Sequence, residues 1–164
     1  MAADVMKRLA EARKTMPALQ LYVLVDGLHY ESWTNAALRE APGIIALFAE
    51  TVDAHLAPAG PWLLAAEKLS QALLEQISRL EVIAPAVSWI IGPQDLQGLA
   101  QLLRLCMQMS LPDGRTAVLR FWDPRVLAAA ARDLKAAQRH TLFGHLFEWH
   151  LLLDGRRVHI GRPT

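Results

Sequence analysis

Two pieces of backbone punctuation, Pro112-Asp113-Gly114 and Asp123-Pro124, constrain the fold more tightly than any other part of this 164-residue sequence. In the first, proline presets φ, aspartate bonds back to the chain and glycine takes a left-handed position, which predicts a hairpin turn. Apolar and polar residues alternate over 105–111, the period of a half-buried strand, and its partner runs from the turn over 116–122. Asp123 then stands where a helix N-cap belongs, and Pro124 at the first helical position, where a missing N–H costs nothing. The helix so opened covers 124–134.

The same reading extends along the chain. Val5, Met6, Leu9 and Ala12 recur at helical spacing and predict an amphipathic helix over 3–15, ended by Pro17. The apolar run 19–25 is a buried strand closed by Asp26-Gly27, and Ser32 is placed to cap a helix over 33–41. Residues 44–48 fit strand or helix equally, and a loop marked by Pro58, Gly60 and Pro61 precedes the short apolar run 62–66. Leu69, Leu73, Ile77 and Leu80 make one stripe of a helix over 68–80. A buried strand follows at 87–91, then a helix over 94–104 with Asp95 in its first turn, where the helix dipole favours a carboxylate. After a helix over 135–142, the runs 146–153 and 156–160 form a hairpin across Asp154-Gly155. The expected fold is α/β, a mixed β-sheet flanked by helices with antiparallel hairpins in the C-terminal third, in one domain spanning 1–164.

Composition narrows the function classes. With 53% apolar and 20% charged residues the chain has the means to bury a core and is not disordered. The richest apolar stretch, 82–91, falls short of the ~18 residues of a membrane helix and contains Pro85 and Ser88. Charges at Asp4, Lys7, Arg8, Glu11 and Arg13 are incompatible with a signal peptide, so a cytoplasmic location is expected. The single cysteine, Cys106, sits among leucines and reads as a small buried hydrophobe. Residues 1–114 hold 8 basic and 12 acidic side chains, a net −4, and residues 115–164 hold 9 and 4, a net +5. That basic third suits an acidic protein surface or a phosphate but is too weak for a nucleic-acid binder.

Few residue patterns carry catalytic chemistry. His140, His145 and His150 are spaced by five, which on a helix turns each about 140° from the last, so no metal site is expected. Asp26-Gly27-x-His29 follows a strand end, where α/β enzymes often place a carboxylate. Without a nucleophile elbow or a glycine-rich phosphate loop, Asp26 reads instead as a turn residue and structural anchor. Arg120, Asp123 and Arg125 crowd one junction; two guanidiniums keep a carboxylate ionised and useless for proton transfer near neutral pH, so Asp123 is structural too. Most of the five tryptophans belong in the core. On a strand, however, Phe121 and Trp122 point to opposite faces, so one reaches a surface, and Trp and Arg are favoured interface anchors. Arg120, Trp122 and Arg125 are therefore the expected partner-binding residues, with no catalytic residue and no cofactor.

Several motifs together resemble the effector-adaptor chaperones of bacterial type VI secretion. They are Leu21-Tyr22-Val23-Leu24-Val25-Asp26-Gly27, Leu47-Phe48, Pro61-Trp62-Leu63, Ser88-Trp89, Leu111-Pro112-Asp113-Gly114 and the distinctive Leu119-Arg120-Phe121-Trp122-Asp123-Pro124-Arg125-Val126-Leu127. The resemblance covers about 19–150. It implies a cytoplasmic, non-enzymatic adaptor that binds a toxin effector and helps load it onto the VgrG spike, with neither nucleic acid nor membrane as partner. Many members look longer, with a second lobe; here the C-terminal hairpin with Arg156, Arg157 and Arg162 is expected to take over part of the client contact. Two alternatives are an immunity protein that binds a toxin, and a small hydrolase or transferase using Asp26 and His29. The enzyme would need a cleft joining those side chains to a third polar group.

Overall fold

Two stretches of almost uninterrupted apolar residues become the two innermost strands of the protein. The computed structural model describes residues 2–110 and 116–161, apart from the side chains of 108–110 and 116–118. Strand β1 (Gln20–Asp26) is buried on both faces along nearly its whole length, and β4 (Val87–Gly92) throughout. A strand that alternated polar and apolar residues could not sit there, because both faces of this sheet are covered. Around them stand β2 (Ile44–Ala46), β3 (Pro61–Ala65), β7 (Glu148–Leu153) and β8 (Arg156–Gly161), in the order β2-β3-β1-β4-β7-β8. Every pairing is antiparallel. The α/β class, the flanking helices and the C-terminal hairpins are as expected, and antiparallel pairing extends through the whole sheet, without the parallel neighbours of a mixed one.

One face of the sheet carries α1 (Ala3–Arg13), α2 (Gly27–Thr34) and α3 (Gln71–Ile83), packed on Leu21, Val23, Leu64, Trp89 and Ile91. The other carries α4 (Leu96–Cys106), α5 (Pro124–Asp133) and α6 (Ala136–Phe143), packed on Tyr22, Leu24, Leu63, Ile90 and Trp149. A short hairpin, β5 (Gln108–Ser110) with β6 (Thr116–Val118), forms a separate two-stranded sheet. The Pro112-Asp113-Gly114 turn that would join its strands lies outside the described residues.

Three expectations are corrected. The helix placed over 33–41 is α2 instead: the Asp26 carboxylate accepts from the N–H groups of Leu28 and His29 at 2.9 and 3.4 Å, and Asn35, left-handed at φ 59°, ends it. The cap is the aspartate, six residues before the serine that seemed to offer one. Next, α3 begins at Gln71, because Ala66–Lys68 forms a 3-10 turn and Ser70 caps the helix through Leu73 N–H. Finally, α4 runs to Cys106 and β6 stops at Val118, so the strand expected over 116–122 is half its length. Phe121 and Trp122 lie in the turn before α5 with their ring centroids 5.5 Å apart, and both are buried. They do not point to opposite faces of a sheet.

Candidate interaction surfaces

The junction between β6 and α5 is built as a cap. Asp123 Oδ1 accepts from Arg125 N–H at 2.9 Å, and the Arg125 guanidinium closes on both carboxylate oxygens at 3.1 and 2.8 Å. Burial works to raise the Asp123 carboxyl, but the bonds from Arg125 outweigh it and hold the group below its ordinary value. Trp122 is only 4% exposed and packs edge-on against Phe48 and Phe121. Its ring belongs to the core, which corrects its placement among the surface residues: one loop turn in place of a strand lets both aromatics go inward. Arg120 and Arg125 are exposed, the Arg120 guanidinium lying 5.9 Å from the centre of the Trp122 ring. Replacing Asp123 with alanine should cost about 0.5–2 kcal/mol, the value of an N-cap, because the exposed ion pair with Arg125 adds little. Urea unfolding of the variant measures this, and no change in midpoint would remove the cap's role.

Asp26 serves α2 in the same way and is buried. Its Oδ1 faces the backbone of the first helical turn, and neither Asp26 nor His29 lines the hollows beside Trp33 and Tyr22. Cys106 is buried and its thiol is pushed up to about 11 by burial, so it stays protonated. His140 and His145 meet edge to face at 5.8 Å, whereas His150 stacks on His159 in the β7–β8 hairpin at 5.4 Å. Among the described residues no group of three potential ligands could hold a metal ion.

The surface that the sequence did not disclose is a groove between α2 and α3. Four of the five tryptophans are buried, but Trp33 is 38% exposed, and beside it Val82 and Ile83 on α3 are 69% and 58% exposed. With Glu75, Ser78 and Arg79 they line a hollow of about 610 Å³, which continues past Thr34, Ala72 and Gln76 into a second of about 370 Å³. Arg79 has no ion-pair partner among the described residues. A further hollow of about 390 Å³, with Tyr22, Lys68, Gln94 and Asp95 on its walls, opens elsewhere. A signal for Trp33 was present in its neighbours Glu31, Ser32 and Thr34: no apolar residue in that run offers the ring a core.

A family model described as a domain of unknown function, DUF4123, matches residues 21–141. The chain belongs to the DUF4123 family. Neither the curated proteins nor the solved structures contain a match to it. The DUF4123 match runs from β1 into α6 and so includes the Trp33 groove and the Asp123 junction. Helix α1 and strands β7 and β8 fall outside it, although the two strands make one side of the same sheet. Among the described residues no helix is long and apolar enough to cross a membrane.

Charged side chains tie these outer elements to one another and, through Glu81, to the DUF4123 core. Arg8 of α1 binds the buried Glu148 carboxylate at 2.6–3.0 Å, and Glu148 Oε2 lies 2.9 Å from His150 Nε2. Arg157 of β8 joins Asp4 of α1 to Glu81 of α3, and Glu81 also accepts from the indole N–H of Trp89 at 2.9 Å. The guanidinium of Arg157 is thus committed inside the fold, and of the hairpin arginines expected at a partner Arg156 is the exposed one; Arg162 lies outside the described residues.

This network predicts sensitivity to acid. Burial lowers the His150 pKa from its ordinary 6.5 against the pull of Glu148, so the ring is neutral and donates through Nε2. Burial pushes Glu148 upward, but the bonds from Arg8 and His150 prevail and lower it. Below pH 6.5 the unfolded chain therefore binds a proton that the folded one refuses, and stability falls. The contribution of Glu148, present above its ordinary 4.5, is lost at still lower pH, as its folded value is crossed. Urea midpoints should drop in these two stages from pH 7 downward, and a flat profile to pH 5 would contradict the buried neutral histidine.

Proposed function

We propose that this chain is a cytoplasmic adaptor that binds a type VI secretion effector and helps load it onto the VgrG spike, by protein–protein binding without catalysis. The observation that carries the reading is the groove at Trp33, Arg79, Val82 and Ile83, an exposed apolar hollow inside the DUF4123 region whose guanidinium has no ion pair among the described residues. Tryptophan and arginine that a partner covers and shields from water are the residues that dominate binding energy at protein interfaces. The class of client comes from the resemblance carried by Leu119–Leu127, a segment that lies inside the DUF4123 match.

Co-expression with a type VI effector and its VgrG tests the reading, and co-purification of a complex with both is the expected result. Within that complex Trp33→Ala should weaken effector binding by about 2 kcal/mol or more, roughly 30-fold in Kd, without loss of folding. If Trp33→Ala binds normally while Arg120→Ala and Arg125→Ala do not, the junction at α5 is the contact surface. Binding to neither protein overturns the adaptor reading, and rescue of cells from the effector's toxicity in place of spike loading would make the chain an immunity protein.

A further inference from the structure

Strand β8 ends the sheet and pairs with β7 alone among the described residues. The turn that joins them, Asp154-Gly155, has φ of 50° and 77°, the two left-handed residues of a tight two-residue hairpin, and Leu153 faces Arg156 across it. In such a hairpin the residues flanking the turn exchange hydrogen bonds, and the pattern alternates along the ladder. Arg156, Val158 and Ile160 therefore spend their backbone groups on β7, while Arg157, His159 and Gly161 direct theirs outward. Among the described residues no proline and no bulge interrupts the strand, so neither of those two devices closes its edge.

We infer that β8 accepts an extended segment of a partner protein as a seventh, antiparallel strand, and that the segment has the pattern aliphatic-x-aliphatic-x-acidic. On the added pair, Arg156, Val158 and Ile160 occupy the close, non-hydrogen-bonded positions, where opposed Cβ atoms lie about 4.5–5.5 Å apart. Val158 is 39% exposed and Ile160 lies half-buried against the core, so two aliphatic side chains opposite them extend an apolar face that already exists. The Arg156 guanidinium is exposed and has no ion pair among the described residues, so it answers a carboxylate at the turn end of the segment. A second copy of this chain is the poorer occupant. Its β8 contains no carboxylate, so antiparallel self-pairing of 156–161 leaves Arg156 without an opposite charge across the seam. This inference is independent of the adaptor reading and of the Trp33 groove, which lies on α2 and α3.

The test uses the full chain and the probe acetyl-Thr-Val-Thr-Val-Thr-Glu-Thr-amide, with a control in which Lys replaces Glu. The expected result is slowed hydrogen exchange at the Arg157, His159 and Gly161 amides with the glutamate peptide, and weaker binding of the lysine peptide. Gly161→Pro removes one outward N–H at an exposed site where an added Cβ meets nothing within 4 Å. It should bind the glutamate peptide at least roughly tenfold more weakly while melting as the parent does. Unchanged exchange at those three amides overturns the proposal, as does equal binding of the two peptides. Protection that grows with protein concentration in the absence of peptide would assign the edge to a second copy instead.

Discussion

Replacing Glu81 with alanine should remove about 3–5 kcal/mol of stability, the cost of leaving one member of a buried charge pair without its partner. The carboxylate takes three bonds at once, from Trp89 Nε1 at 2.9 Å and from two nitrogens of Arg157 at 2.7 and 2.9 Å. Alanine leaves the Trp89 indole N–H without its acceptor inside the apolar face under α3, and leaves Arg157 with Asp4 alone, half of whose side chain is in water. In a chain of this length the loss corresponds to a fall of roughly 10 °C in Tm. Glu81→Gln retains an acceptor for the indole and loses the charge, so it should fall between parent and alanine. Thermal unfolding of the three proteins decides it; equal melting of Glu81→Ala and parent would mean that water replaces the carboxylate freely and that α3 is not tied to β8 through this pair.

That network also shows where a sequence stops being legible. Strands β1 and β4 could be read because burial on both faces demands unbroken apolar runs, and the β7–β8 hairpin because Asp154-Gly155 suits two left-handed residues in succession. Helix α2 was misplaced because Asp26-Gly27 can end a strand or cap a helix, and here it does both, with the turn at 58–60 packed against Gly27. Glu81 and Arg157 lie 76 residues apart, and each looks in the sequence like an ordinary surface charge. Only the sheet order, which sets β8 two strands from β4, brings them together. Trp122 was misjudged for a local reason. A strand separates neighbouring side chains onto two faces, whereas the turn that replaces it folds Phe121 and Trp122 into one cluster with Phe48 and Trp149. The candidate surface consequently moves from Trp122 to Trp33, with Arg120 and Arg125 still outside.

Gly27→Ala should destabilise the protein by about 3 kcal/mol, the upper range for forcing atoms into a packed site. The expected sign is the informative part. Gly27 opens α2, and glycine-to-alanine changes at compatible helical positions ordinarily stabilise by about 0.4–1 kcal/mol. Here an added Cβ would stand 2.7 Å from the carbonyl oxygen of Gly60 and 2.7 Å from Trp62 Nε1, and would collide with the carbonyl oxygen of Pro58. Those atoms cannot yield separately. The Gly27 N–H donates to Gly60 O at 2.8 Å, and the Trp62 indole donates to Pro58 O at 3.2 Å, so the loop at 58–60, the end of β1 and the start of α2 are locked at one point. Phe48 fills the other side of Gly60, which blocks the loop from backing away. The Asp-Gly pair at the end of β1 is thus required by packing, and the requirement is independent of any chemistry at Asp26 or His29. If Gly27→Ala melts at or above the parent temperature, the loop is free to move and the pair regains its claim as a functional motif. If it melts far below, α2 is fixed in place by this contact, and with it Trp33, one helical face further along, which is where the groove obtains its rigidity.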